Sequence, residues 1–217
     1  MALLCGVEDA GRGPVIGPLV MCGVLISKED EPKLKEMGCK DSKMLSPLQR
    51  ERIAERIKEF AIKWEVRIVP PKEIDDAVNG LNNLNLNWLE AVKSVEIINA
   101  LKPDLVVLDC PSTNIPAYRD YIVQRLDNKN MEVHAEHKAD VNHPVVSAAS
   151  IIAKVTRDEE IEKLKKKINL NFGSGYPSDP TTVGFLKKFW DKHPDIFRHT
   201  WAPYKKIVAQ QGQKKLG

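Results

Sequence analysis

The spacing of apolar positions changes along the chain, and the changes mark out elements. Leu3 to Val7 is a short apolar run ending in two acids, Glu8 and Asp9. The stretch Ala10-Gly-Arg-Gly-Pro14 interrupts it before a second run, Leu19 to Ile26. This is the pattern of strand, turn, strand. Ser46-Pro47-Leu-Gln49 has the makings of a helix start, with Ser46 as N-cap, Pro47 at the first helical position and Gln49 closing a capping box. Ile53, Ile57 and Phe60 continue it at helical spacing. Trp64 to Val69 alternates like a third strand, and Pro70-Pro71 stops it.

Beyond that point the pattern becomes strand-helix alternation. Leu84, Trp88, Leu89, Val92, Val95 and Ile98 predict a long amphipathic helix. Asp104 to Asp109 reads as a buried strand between Pro103 and Pro111, Ile115 to Leu126 as a helix, and Met131 to Glu136 as another strand. Asn142 and Pro144 open a long helix toward Lys167, apolar at first and charged later. Phe172 to Pro180 is a glycine- and proline-rich loop, and helices are expected from Thr181 to Lys192 and from about Trp201 to Gln210. The order predicts an α/β core with a mixed sheet, its later strands parallel, followed by a small helical tail.

Composition narrows the class. The 217 residues are 42% hydrophobic and 29% charged, an ordinary globular balance. The apolar run Pro18 to Ile26 is far too short to cross a bilayer, and the opening residues lack the features of a signal peptide, so a cytoplasmic protein is expected. Cys5, Cys22, Cys39 and Cys110 show no C-x-x-C spacing, which argues against a zinc ribbon or redox pair. The net charge of +3 is unevenly placed: residues 181–217 carry eight Lys and Arg against two acids. A basic end on a slightly acidic body suits a polyanionic partner, though a solvated helix surface explains it equally well.

Acids recur where α/β sheets build their sites, beyond the carboxyl ends of strands. Glu8 and Asp9 end the first strand, Asp109 ends Asp104–Asp109, and Asp140 follows Met131–Glu136 closely. Taken singly, each would serve as a turn or cap residue. Together they form a set of hard oxygen ligands, which points to Mg²⁺ or Mn²⁺. Two such ions could activate a water and stabilise the leaving oxygen of a phosphoryl displacement. Glu8 and Asp9 reach one centre only if the chain leaves strand geometry there or a carbonyl also ligates, because strand neighbours point to opposite faces. His134, His137 and His143 do not have convincing spacing for a zinc site; His137 could instead bond a catalytic carboxylate.

Six segments, in order and over most of the chain, carry a resemblance. They are Gly6-Val-Glu-Asp-Ala-Gly-Arg-Gly-Pro14, Lys40-Asp-Ser-Lys43, Leu108-Asp109, Glu136-His-Lys-Ala-Asp140, Pro144-Val-Val-Ser-Ala-Ala-Ser-Ile-Ile-Ala-Lys154 and Gly173-Ser-Gly-Tyr-Pro-Ser-Asp179. They resemble the motifs of type 2 ribonuclease H (ribonuclease HII), in the archaeal rather than the bacterial form. The resemblance implies a ribonuclease H-like mixed sheet flanked by helices: a catalytic domain over 1–170, then a substrate-binding loop and C-terminal helical extension over 171–217. It implies a monomeric nuclease requiring Mg²⁺ or Mn²⁺ that hydrolyses RNA paired to DNA, and that incises beside ribonucleotides embedded in duplex DNA, leaving 3′-hydroxyl and 5′-phosphate ends. Glu8, Asp9, Asp109 and Asp140 fall on the four catalytic carboxylates of the family. Gly11, Arg12 and Gly13 fall on the segment that reads the 2′-hydroxyl, Tyr176 on the tyrosine that packs against the sugar, and Ser42, Lys43, Ser150 and Lys154 on polar positions near the backbone phosphates.

Two features depart from the family pattern. The family reads Asp-Glu where this chain reads Glu8-Asp9, which leaves open a catalytically impaired variant that still binds hybrids, or a changed preference between the two ions. Gln213-Lys-Lys-Leu216 resembles the opening of a peptide that binds sliding clamps, but the aromatic pair that completes it is absent; a chance match is the favoured reading.

Overall fold

The computed structural model describes residues 2–39 and 45–214. The chain begins with β1 (Leu3–Ala10) and β2 (Leu19–Ser27), then α1 (Glu31–Glu36), α2 (Pro47–Phe60), β3 (Lys63–Val69), α3 (Pro71–Val78) and α4 (Leu86–Leu101). It continues through β4 (Leu105–Asp109), α5 (Ile115–Val123), β5 (Glu132–Glu136), α6 (Ala139–Asn142), α7 (Pro144–Ile168), α8 (Pro180–Phe189) and α9 (Ala202–Lys214). Among the described residues the strands form one sheet in the order β3-β2-β1-β4-β5. β1 runs antiparallel to β2 and parallel to β4, and β4 runs parallel to β5. The sheet is mixed and its later strands are parallel, as the alternation of elements predicts.

Local chemistry accounts for several boundaries. At α2 the Ser46 hydroxyl accepts from the Gln49 N–H at 3.3 Å and the Gln49 side chain accepts from the Ser46 N–H at 2.9 Å, a complete capping box. Pro70 follows the last residue of β3, and Pro71 stands at the first position of α3, where a missing N–H costs nothing. The sequence pattern marks that proline pair only as a stop and carries no sign of α1.

The chain divides into two compact units. The first comprises 1–10, 20–68 and 87–156; the second comprises 11–19, 69–86 and 157–217. The core of the first lies between the sheet and the apolar half of α7, where Val145, Val146, Ala148, Ala149, Ile151, Ile152 and Ala153 have no exposed surface. Gly6 makes this packing possible, because a Cβ there would overlap the backbone of Val145. The core of the second is aromatic: Phe172, Phe185, Phe197 and Tyr204 gather around Val15 and Ile16. The ring centroids of Phe197 and Tyr204 are 5.5 Å apart. Residues 11–19 enter this core through an antiparallel bridge between Ile16 and Phe197. Among the described residues no helix is long and apolar enough to cross a membrane.

Candidate active site

Three elements of the first unit bring four carboxylates within electrostatic reach of one another. β1 carries Glu8 and Asp9, β4 ends on Asp109, and Asp140 is the second residue of α6. Val7 pairs with Leu108 in the parallel register, so the next residues, Glu8 and Asp109, share a face of the sheet. Asp109 Oδ1 accepts the Ala139 N–H at 2.9 Å, tying the end of β4 to the turn that presents Asp140. That turn starts at Lys138, whose backbone is left-handed at φ 59°.

The electrostatics reflect this crowding. Burial, then the charges of Asp9, Asp109 and Asp140, push the Glu8 carboxyl well above its ordinary value. Asp109 is also raised, chiefly by burial; the Ala139 N–H opposes the shift and Asp140 adds to it.

Of the two routes by which Glu8 and Asp9 could reach one centre, a break in strand geometry is not the one taken. The strand does not break at the acids but runs through them to Ala10, because Cys22, Met21 and Val20 of β2 pair with Glu8, Asp9 and Ala10. The pleat therefore directs Glu8 and Asp9 to opposite faces. Glu8 lies on the Asp109 face. The charge of Asp9 reaches the buried Tyr118 hydroxyl, whose pKa is raised mainly by burial and then by Glu90.

The donor set fits a divalent cation. Glu8 Oε2 is enclosed and has no hydrogen-bond partner among the described residues. A buried carboxylate oxygen in that state is costly unless a positive charge compensates it. Oxygen-only ligands suit Mg²⁺ or Mn²⁺. Among the described residues no three acidic, His or Cys side chains are placed to hold one metal ion between them. The histidines have separate partners. His137 Nδ1 bonds the Cys110 carbonyl at 2.8 Å, His134 pairs with Glu132 at 2.6 Å, and His143 pairs with Glu136 at 3.1 Å. His137, which the sequence left able to bond a catalytic carboxylate, bonds the carbonyl of the residue after Asp109.

In the second unit, Gly11, Arg12 and Gly13 form a bend beside the loop that carries Tyr176. Gly11 has φ +89°, and a Cβ there would stand 2.5 Å from Cδ and Nε of Arg157. A Cβ on Gly13 would meet the Tyr176 ring at 3.7 Å. Tyr176 is 37% exposed. Its loop is tied at both sides: the Gly175 carbonyl accepts from Val15 N–H at 2.9 Å. The Asp179 carboxylate accepts from the Ser174 N–H at 2.7 Å, the Ser174 hydroxyl at 2.9 Å and the Thr181 N–H at 2.9 Å. These bonds, the Ser174 N–H first among them, lower the Asp179 pKa to about 2. The guanidinium of Arg157 lies 5.0 Å from the Tyr176 ring centroid and donates to the Ser174 carbonyl at 3.1 Å.

Ser150 and Lys154, one helical turn apart on α7, are half-buried among fully buried neighbours. Ser42 and Lys43 lie outside the described residues. Sequence reasoning missed Arg157 and Arg198. Arg157 stands three residues after Lys154, and that helical spacing was a usable signal. Arg198, with no exposed surface, has no comparable local signal.

Comparison with known proteins identifies the family of the chain. A family model described as Ribonuclease HII matches residues 5–204. The chain is 43% identical over 214 residues to a ribonuclease HII of Pyrococcus furiosus, covering 97% of this chain and 93% of that protein. It superposes on the crystal structure of ribonuclease H2 from Pyrococcus horikoshii with a TM-score of 0.86 and 42% identity, over 96% of this chain and 98% of that one. A structure of the PCNA:RNase HII complex from Archaeoglobus fulgidus gives a TM-score of 0.82 and 40% identity, over 92% of this chain and 95% of that one.

Proposed function

The chain belongs to the ribonuclease HII family, and from that premise we propose that it is an endonuclease for RNA paired to DNA that also incises beside single ribonucleotides in duplex DNA, leaving 3′-hydroxyl and 5′-phosphate ends. As a family member it is a hydrolytic nuclease of the ribonuclease H type and depends on a divalent metal. The observation that carries the finer reading is the unpartnered, enclosed Glu8 Oε2 within a cluster of four carboxylates.

In this reading Glu8, Asp109 and Asp140 hold Mg²⁺ or Mn²⁺ with their side chains, and Asp9, whose side chain faces the other way, joins them through a main-chain carbonyl at the end of β1. Two bound ions would supply an activated water and charge neutralisation at the leaving oxygen of an in-line displacement. The residues of the chain do the rest. Burial and mutual repulsion make the acid cluster an electronegative seat for cations. The Ala139 N–H holds Asp109 in place. Gly11 to Gly13 offer main-chain groups to a 2′-hydroxyl, which both donates and accepts and so can be read without reading a base. Tyr176 packs against the sugar, a contact tolerant of sequence. Lys43 and Lys154, with Ser42 and Ser150, contact the phosphates, and residues 171–217 serve as the substrate-binding loop and helical extension.

The Glu8-Asp9 order is compatible with catalysis, because residue 8 shares the face of Asp109 and still carries a carboxylate there. No observation favours a binder without catalysis. The decisive assay uses a DNA duplex carrying one ribonucleotide, with Mg²⁺ or Mn²⁺ titrated from zero. Cation-dependent cutting beside the ribonucleotide is expected; no cut with either ion removes the reading.

We propose further that the protein acts in the cytoplasm as a monomer and, on the likeness to the chain of the PCNA:RNase HII complex from Archaeoglobus fulgidus and against the chance reading of the motif, that residues 213–216, of which 215 and 216 lie outside the described residues, contact a sliding clamp. Loss of clamp co-elution on deleting 213–217 is expected, and unchanged co-elution rejects that contact.

A further inference from the structure

Arg198 is a cation with no exposed surface, and its guanidinium faces main-chain oxygens. Nη2 donates to the Gly11 carbonyl at 2.6 Å, Nη1 to the Arg12 carbonyl at 2.9 Å and Nε to the Gly17 carbonyl at 3.0 Å. The backbone beside it is held as well. Arg198 N–H donates to the Val15 carbonyl at 2.9 Å, and Ile16 bridges to Phe197. Its guanidinium also lies 5.0 Å from the Trp201 ring centroid. A buried guanidinium is satisfied only where several acceptors converge on its fork of donors. Here the acceptors converge because Gly11 takes φ +89°.

The direction of these bonds has a geometric corollary. The structure contains no cis peptide bond among the described residues. In a trans peptide the C=O of one residue and the N–H of the next point in opposite directions. With the oxygens of Gly11 and Arg12 turned into Arg198, the N–H groups of Arg12 and Gly13 are aimed away from it. Gly13 lies on the exposed side of the bend, beside the Tyr176 ring.

We propose that Arg198 is a positioning residue for ribose recognition: by gripping the carbonyls of Gly11 and Arg12 it presents the N–H groups of Arg12 and Gly13 to the 2′-hydroxyl. This rests on the reading of Gly11 to Gly13 given under the proposed function. Arg198 does not touch the substrate. It acts through the orientation of two peptide planes, and preorganised main-chain donors recognise a hydroxyl without reorganising when it arrives.

The test measures affinity by fluorescence anisotropy, in chelator so that nothing is cut, for two duplexes that differ only in one 2′-hydroxyl. Wild type is expected to prefer the ribonucleotide duplex by about tenfold or more. In Arg198→Gln the preference should fall to near one while affinity for the all-DNA duplex stays within about twofold. Arg198→Lys, which keeps the charge but not the fork, should fall between them. A wild-type preference retained in Arg198→Gln overturns the proposal, and so does an equal loss for both duplexes, which marks a purely structural role. A wild type that binds both duplexes equally instead defeats the reading of Gly11 to Gly13 itself. Should circular dichroism show Arg198→Gln unfolded, amide hydrogen exchange on the wild type decides. Added protection at Arg12 and Gly13 with the ribonucleotide duplex only supports the proposal, and equal protection with both overturns it.

Discussion

The acid cluster of the first unit and the glycine-tyrosine region of the second satisfy their polar groups in opposite ways. Around Glu8 the polar atoms are in conflict: one carboxylate oxygen is buried without a partner and three further acids raise its pKa. Around Gly11 and Tyr176 the main chain is held by many partners: Arg198 takes three carbonyls, and Asp179 takes two N–H groups and a hydroxyl. The contrast separates two jobs. A cation seat must leave its ligands undercompensated until the cation arrives. A surface that discriminates one hydroxyl must fix its donors beforehand. Substitutions should therefore act differently in the two regions, on chemistry and charge in one and on selectivity in the other.

The largest expected effect lies in the acid cluster. Asp109→Asn should reduce cleavage of a single-ribonucleotide duplex by roughly three orders of magnitude, about 4 kcal/mol of transition-state stabilisation. Hybrid binding should change little. Initial rates together with anisotropy check this, and turnover near the wild-type rate would contradict a ligand role for Asp109. Tyr176→Ala probes the other region. It should lower the preference for the ribonucleotide junction about tenfold, or about 1.4 kcal/mol. Its melting temperature should barely move, because the residue sits on an exposed loop and is itself 37% exposed. An unchanged cut pattern on a long hybrid would remove Tyr176 from the assignment.

The same contrast predicts effects of opposite sign on stability. The Glu8 carboxyl is raised in the folded protein, so the native state holds that proton more tightly than the unfolded chain. Its contribution is present at low pH and is lost as pH rises from the ordinary carboxylate range through the raised value. Glu8→Gln should flatten this slope and, in chelator at neutral pH, raise stability by about 1 kcal/mol, or about 2–4 °C. Melting curves between pH 5 and 8 would show it, and a lower melting temperature at every pH would break the comparison. Asp179 has the reverse sign, since its pKa is lowered to about 2. The stability it adds is present above the ordinary aspartate value and is lost as pH falls toward 2. This is the smallest effect expected: exchange of the Ser174 amide should remain slow at pH 4 in wild type and become faster in Asp179→Asn.

The elements that proved legible were those whose cause is local. The capping box at Ser46 and Gln49, the buried strand before Asp109 and the long apolar start of α7 each carry their cause within a few residues. What escaped depended on distant partners. β1 continues through Glu8 and Asp9 only because β2 offers Cys22 and Met21 opposite them. His137 bonds a carbonyl rather than a carboxylate because the end of β4 presents the Cys110 oxygen there. Arg198 reaches main-chain oxygens more than 180 positions earlier, and no local pattern announces a side chain whose partners are peptide groups. Asp109 was legible as a strand-end acid; that Glu8 shares its face came from the register of β1 against β4.

At Gly6 a strand backbone rests directly on the backbone of Val145. Ordinary cores yield to substitution by changing rotamers, and main chain against main chain has no rotamer to change. Glu8 follows two residues later, so its anchorage is as stiff as the peptide units themselves. The side chains of Val145 and Val146 can then be exchanged for others of similar volume with little disturbance at the acid, whereas any methyl group added at residue 6 would be transmitted to it along the strand.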